Sequence, residues 1–218
     1  MKVLVVGAAG QTGRRVVMAL KERGIPHRAL VRDVASAEGV LPPGTDIVAG
    51  DVLQPDTLTA ALADCTHLIC ATGARPSLDP AGPLKVDYLG TRSLVKAAQE
   101  KGVEQFVLVS SLCVSRFFHP LNLFWLVLYW KQRAEAYLQE SGLTYTIVRP
   151  GGLKNEDNDW PVVVESADRL FEGSIPRTKV AQVCVEALFD PGARNKILEI
   201  VSRADAPNRP LGELFAQA

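Results

Sequence analysis

Val6-Gly7-Ala8-Ala9-Gly10-Gln11-Thr12-Gly13 is the stretch that decides the fold. It follows a β-branched and apolar run, Lys2-Val3-Leu4-Val5, of the kind that buried parallel strands carry. Beyond it, Val16, Val17 and Leu20 give residues 11–23 one apolar helical side, and Gly24 stops that helix. The glycine spacing is G-x-x-G-x-x-G. Gly7 permits a sharp exit from the strand, Gly10 lets the backbone approach a diphosphate, and Gly13 lets the helix pack closely on the sheet. Unpaired N–H groups and the macrodipole at the helix start favour an anion there. A glycine triplet alone is weak evidence. Its position between a strand and a helix, with a second strand beyond, points to a dinucleotide held by Gly7, Ala9, Gly10, Gln11, Thr12 and Gly13.

Outward from that turn, strand and helix patterns alternate. Strands are expected at residues 27–31, 46–49, 67–71, 105–109, 144–148 and 197–201, with helices at 55–63, 84–101, 178–189 and 211–217. Residues 34–44 read as a loop ending in Pro42-Pro43-Gly44, and Gly73, Pro76, Pro80, Gly82 and Pro83 mark another. Residues 117–140 read as mostly helical after Pro120, and 149–172 as irregular with a short strand at 162–164. Parallel strands need crossovers, and helices supply them. The expectation is an α/β fold: a Rossmann-like, doubly wound parallel sheet in three αβα layers. It forms a single domain over 1–218, with residues 150–218 completing a small substrate-side lobe.

Composition narrows the class. The 218 residues carry 24 basic and 24 acidic side chains, so no excess positive charge exists to neutralise a phosphate backbone, and no nucleic-acid partner is expected. Cys65, Cys70, Cys113 and Cys184 form no C-x-x-C pair and read as reduced core thiols of a cytoplasmic protein, with no metal site. The run at 121–130 would span roughly 15 Å as a helix, about half a bilayer's hydrocarbon core, so no transmembrane segment is expected.

The second strand ends Ala29-Leu30-Val31-Arg32-Asp33, with Arg32 nineteen positions past Gly13. Dinucleotide folds place the group that reads the adenosine ribose near here. A guanidinium matches a 2′-phosphate and cannot accept from a 2′-hydroxyl, so the cofactor expected is NADP(H). The alternatives are a solvated Arg32 and, through Asp33, NAD.

Several motifs in one order resemble the atypical short-chain dehydrogenase/reductases, specifically their NAD(P)H-binding, NmrA-like branch. They are GAAGQTG at 7–13, VRD at 31–33, GDV at 50–52, ATG at 71–73, VDYLGT at 86–91, FVLVSS at 106–111, KQRAEAYL at 131–138, YTIVRPGGL at 145–153 and IPRTKVAQVCVEAL at 175–188. The resemblance implies that Asp51 accepts from the adenine amino group with Val52 beside the ring. It implies that Ala71, Thr72 and Gly73 line the adenosine ribose side. It puts Ser110 or Ser111 near the nicotinamide, Lys131 on the nicotinamide ribose, and Pro150 and Gly151 against the carboxamide end. All these positions fall at the carboxyl ends of expected strands, where open α/β sheets bind ligands. Asp51 could instead cap the following turn, and Lys131 could be a solvated helix residue.

The pattern breaks at the acid. Typical relatives use a Tyr-x-x-x-Lys pair, in which lysine lowers the tyrosine pKa. Four positions before Lys131 stands Val127. The first functional expectation is therefore hydride transfer to a planar apolar acceptor (flavin, quinone or tetrapyrrole-like), with Ser111 orienting the acceptor or a water and Lys131 holding the ribose; solvent then supplies the proton. The second is a non-catalytic NADP(H)-responsive sensor or assembly factor. A sugar-nucleotide epimerase is disfavoured, because only about 65 residues follow the Pro150 segment. The apolar run containing Phe117, Phe118, Leu121, Phe124, Trp125, Leu128 and Trp130 is expected to be mainly core. The alternative is an exposed surface for a hydrophobic substrate, a protein partner or a membrane face.

Overall fold

The computed structural model describes residues 1–74 and 79–218; Pro76 of the expected loop lies outside the described residues. The strands are β1 (Val3–Val6), β2 (His27–Val31), β3 (Asp46–Ala49), β4 (His67–Cys70), β5 (Gln105–Val109), β6 (Tyr145–Pro150), β7 (Gly152–Lys154), β8 (Val162–Glu165), β9 (Ser174–Pro176) and β10 (Lys196–Ser202). The helices are α1 (Gly13–Glu22), α2 (Val34–Glu38), α3 (Pro55–Ala61), α4 (Gly90–Lys101), α5 (Val127–Gln139), α6 (Arg177–Glu186) and α7 (Leu211–Gln217).

Eight strands form one sheet in the order β3-β2-β1-β4-β5-β6-β10-β8. Every pairing is parallel except β10 with β8, which is antiparallel at the edge. The order reverses between β1 and β4, so the crevice outside their carboxyl ends is the topological switch point. Strand alternation builds the two core layers. Val3 and Val5 of β1 face a cluster with Val16, Val17 and Leu20 of α1 and Val180 of α6. Leu4 and Val6 face the opposite cluster, with Leu58 of α3 and Leu94 of α4. The chain after β6 returns to this sheet as β10 and β8 and adds a small parallel pair, β7 with β9.

Three local expectations are corrected. Residues 34–38 are a short helix, because the Asp33 side chain accepts from the Ser36 amide. Residues 117–140 are not one helix. A 3₁₀ turn at Pro120–Leu123 is followed by left-handed backbone at Trp125 (φ 56°) and Leu126 (φ 58°), and α5 starts only at Val127. The apolar run is largely outside the core: Phe117, Phe118, Leu121, Leu123, Phe124, Trp125 and Leu126 are exposed, and Leu128 is buried.

Candidate functional site

A cleft of about 380 Å³ opens at the switch point. It is lined by Gly7, Ala9 and Gly10 of the β1–α1 turn, Arg32 beyond β2, Asp51 and Val52 beyond β3, and Ala71, Thr72 and Gly73 beyond β4. Four strand ends thus converge on one wall, as the parallel register requires.

The three glycines of the turn differ in what they answer to. Gly7 has φ +77°, and a Cβ there would stand 2.9 Å from the Ala71 carbonyl oxygen. A Cβ on Gly13 would stand 2.2 Å from the Gly7 carbonyl oxygen, so the helix could not start where it does. Protein packing fixes both. A Cβ on Gly10 would meet only the Gly7 oxygen, at 3.0 Å, and otherwise project into space beside the cleft. The amides of Gln11 and Thr12 donate to no backbone carbonyl among the described residues. A cradle that a Cβ would fill, edged by unpaired amides at a helix start, fits a diphosphate. Arg15 braces the turn by donating to the Gln11 carbonyl (2.7 Å) and to the Asn155 carbonyl (3.2 Å).

Arg32 is exposed on the rim of the cleft. Asp33 is turned away into its contacts with Ser36, which hold its carboxyl below the usual range. Asp51 both lines the cleft and caps its turn: Oδ1 accepts from the Leu53 amide at 2.9 Å. Val52 supports the floor, packed against the backbone of Gly90.

A separate small hollow of about 10 Å³, which shares Thr72 with the cleft, is lined also by Asp87, Thr91, Ser110 and Lys131. Lys131 is not a solvated helix residue. Its Nζ lies 2.7 Å from Oδ1 of Asp87, whose side chain is 1% exposed. Burial alone would lower the lysine pKa; the adjacent Asp87 charge and contact outweigh it and hold the value above the ordinary one, so Lys131 is a cation. Asp87 Oδ2 also accepts from the Ala74 amide at 3.2 Å, which ties the β4 loop to this pair. Asp87 sits in a π-helical stretch, Leu84–Leu89, that runs into α4.

Ser110 is engaged too. Its Oγ donates to Glu135 Oε1 at 2.5 Å. Glu135 is held by Arg149, through Nη2 to Oε2 at 2.6 Å and Nε to Oε1 at 3.1 Å. Arg149 Nη1 reaches Glu199 (3.2 Å) and Asp168 (3.1 Å). Ser111 is half-buried at the end of β5 and lines neither the cleft nor the hollow. Pro150 and Gly151 also line neither. The Pro150 carbonyl accepts from the Leu112 amide and the Gly151 amide donates to Ile200, so their backbone closes the fold here.

Sequence reasoning missed Asp87, Glu135 and Arg149. A signal existed: Asp87, Thr91, Leu94 and Ala98 fall at i, i+4, i+7 and i+11, which puts a carboxylate on the buried face of a helix. Arg149 likewise interrupts the apolar run of β6.

Fold, switch-point cleft and phosphate cradle together define a Rossmann-type dinucleotide-binding protein. Residues 7–191 match the model of the NAD(P)H-binding family, and the chain belongs to that family, as an atypical short-chain dehydrogenase/reductase. An uncharacterized chloroplastic protein of Arabidopsis thaliana is 48% identical over 228 residues, 99% of this chain and 81% of that one. Sanguinarine reductase of Eschscholzia californica is 31% identical, covering 94% of this chain and 90% of its own. Among solved structures, a putative NAD-dependent epimerase/dehydratase from Bacillus halodurans superposes with a TM-score of 0.88 at 28% identity, covering 100% of both chains.

Proposed function

We propose that the protein is an NADP(H)-dependent reductase that passes hydride to a planar, apolar acceptor of the flavin, quinone or tetrapyrrole kind. The observation that carries this reading is an open switch-point cleft with half-buried Lys131, paired to Asp87, in the hollow beside it, and Val127 where the family resemblance implies a tyrosine. Bound reduced nicotinamide supplies the hydride, and water supplies the proton that an acceptor of this class takes up. Arg32 selects the 2′-phosphate, and Gly10 with the amides at the start of α1 receives the diphosphate. Lys131 stays charged and holds the nicotinamide ribose; it does not act as an acid. The relative named a sanguinarine reductase supports a reductase reading.

The test is NADPH oxidation against a panel of flavins, quinones and linear tetrapyrroles. Turnover with at least one of them, with NADPH preferred over NADH, is expected. NADPH binding without oxidation by any acceptor would overturn the reading.

A second reading has its own observation. Ser110 and Lys131, two groups the resemblance puts near the nicotinamide, already have partners, Ser110 on Glu135 and Lys131 on Asp87. A nucleotide-responsive sensor needs no free acid or base, so this arrangement suits it. It predicts micromolar binding, no turnover, and a partner whose affinity changes with the nicotinamide redox state.

A further inference from the structure

Residues 117–126 join the Ser111 end of β5 to α5, and they are built inside out. Phe118 is 96% exposed, Leu123 84% and Phe124 63%; Phe117, Leu121, Trp125 and Leu126 are exposed as well. The one residue of this segment that is buried is polar. Asn122, 8% exposed, donates through Nδ2 to the Phe117 carbonyl at 2.8 Å. Its Oδ1 accepts from the amides of Leu128 (2.9 Å) and Tyr129 (3.2 Å) at the start of α5. A loop facing water would hide its phenylalanines and show its asparagine. Here the polar side chain satisfies the backbone from within, and the apolar side chains form the outer surface.

This presentation is constructed. Trp125 and Leu126 both adopt left-handed backbone, a region bulky residues rarely occupy, and the side chains at 123–126 are all exposed. Edge-to-face ring contacts, Phe117 with Tyr129 at 6.0 Å and Tyr129 with Trp130 at 5.0 Å, brace the base of the loop on α5.

The charges around it point to one occupant. From residue 105 to 134 the chain contains no aspartate or glutamate, and Asp168, which meets this stretch at Ser115 (2.6 Å), is neutralised by Arg149 (3.1 Å). Exposed cations lie on either side of the loop along the chain: Arg116, whose guanidinium sits 3.6 Å from the centre of the Phe171 ring, and Arg133 on α5. Protruding tips suit a fluid apolar phase, because no preformed pocket has to match each one, and flanking cations suit anionic headgroups. We infer that residues 117–126 dock the protein onto the surface of an anionic lipid bilayer, with Phe118, Leu123 and Phe124 entering the headgroup–acyl boundary and Arg116 and Arg133 meeting the phosphates.

The experiment is co-sedimentation with vesicles of phosphatidylcholine, alone and with added phosphatidylglycerol, read with tryptophan fluorescence. The wild-type protein should sediment with the anionic vesicles, with a blue-shifted emission that brominated acyl chains quench and that Trp125→Phe diminishes. Phe118→Ser, Leu123→Ser and Phe124→Ser combined should lower the bound fraction about tenfold or more at an unchanged unfolding midpoint. Arg116→Gln with Arg133→Gln should weaken only the anionic preference. Wild-type protein that stays in the supernatant with both lipids, or emission that brominated lipid does not quench, overturns the inference. So does undiminished vesicle binding by the triple variant. A concentration-dependent dimer that the triple variant abolishes, without vesicle binding, would assign the loop to a second copy of the chain.

Discussion

The two halves of the cleft hold their residues by different means. The half at the ends of β1 to β3 is backbone: glycines at 7, 10 and 13, amides of Gln11 and Thr12 with no backbone acceptor among the described residues, and an Arg32 exposed on the rim. A helix start contributes its dipole there, beside the side chains of Arg32 and Asp51. The half beside β5 and α5 is side chain. Two charged groups, half-buried Lys131 with buried Asp87 and buried Arg149 with Glu135 and Glu199, fix the ends of β4, β5 and β6 relative to α4 and α5. A backbone cradle can be read from glycine spacing and tolerates substitution on its rim. A buried network tolerates almost none, because removing one partner leaves the other charge stranded in low dielectric.

The largest effect should therefore come from Arg149→Met. It leaves Glu135 and Glu199, at 2% and 1% exposure, without their cation. A loss of about 3–5 kcal/mol in urea unfolding is expected. A loss below about 1 kcal/mol would show that the network does not rigidify this half. On the opposite side, Arg32→Ala should change stability by no more than about 0.5 kcal/mol, since its side chain is exposed. It should weaken NADPH binding by roughly 1.5–3 kcal/mol, about 10- to 150-fold, and leave NADH nearly unaffected. Calorimetry with both nucleotides separates the outcomes; equal losses for the two would remove Arg32 from 2′-phosphate recognition.

Gly10→Ala sharpens the contrast further. Its new Cβ meets the Gly7 oxygen at 3.0 Å and little else, so the fold should survive with a cost near 1 kcal/mol. Nucleotide affinity should fall about tenfold, because the methyl occupies the approach to the diphosphate. Gly13→Ala, whose Cβ would stand 2.2 Å from a carbonyl oxygen, should instead lose stability first. If both variants bound NADPH as the parent does, the cradle would not be where the diphosphate sits.

The same contrast explains what could be read in the sequence. The β1–α1 turn, the strand ends at Arg32, Asp51 and Thr72, and the three-layer sheet were legible, because each rests on local spacing or on alternation that packing reinforces. The edge strand β8 reversed direction without any local mark. The Asp87–Lys131 pair joins residues 44 positions apart, and Glu135 reaches Arg149 across a helix and a strand. Charges inside apolar runs announced that something was buried, and only the fold chose the partners. Residues 117–126 misled for the opposite reason. Apolar composition normally means core, and nothing local says that Asn122 will take the inside position.

The smallest effect is a predicted constancy. The pKa of Lys131 is held above its ordinary 10.5 by Asp87, against the lowering that burial alone would cause. A lysine whose folded pKa exceeds its unfolded one contributes stability that is fully present below the unfolded value and is lost as pH rises through the folded value. The stability difference between the parent and Lys131→Met should therefore stay constant from about pH 7 to pH 10 and shrink only at higher pH. NADPH affinity should show no titration assignable to Lys131 over the same range. A difference that shrank near neutral pH would mean that Lys131 is deprotonated there, and the half beside β5 and α5 would then hold a base that the proposed function does without.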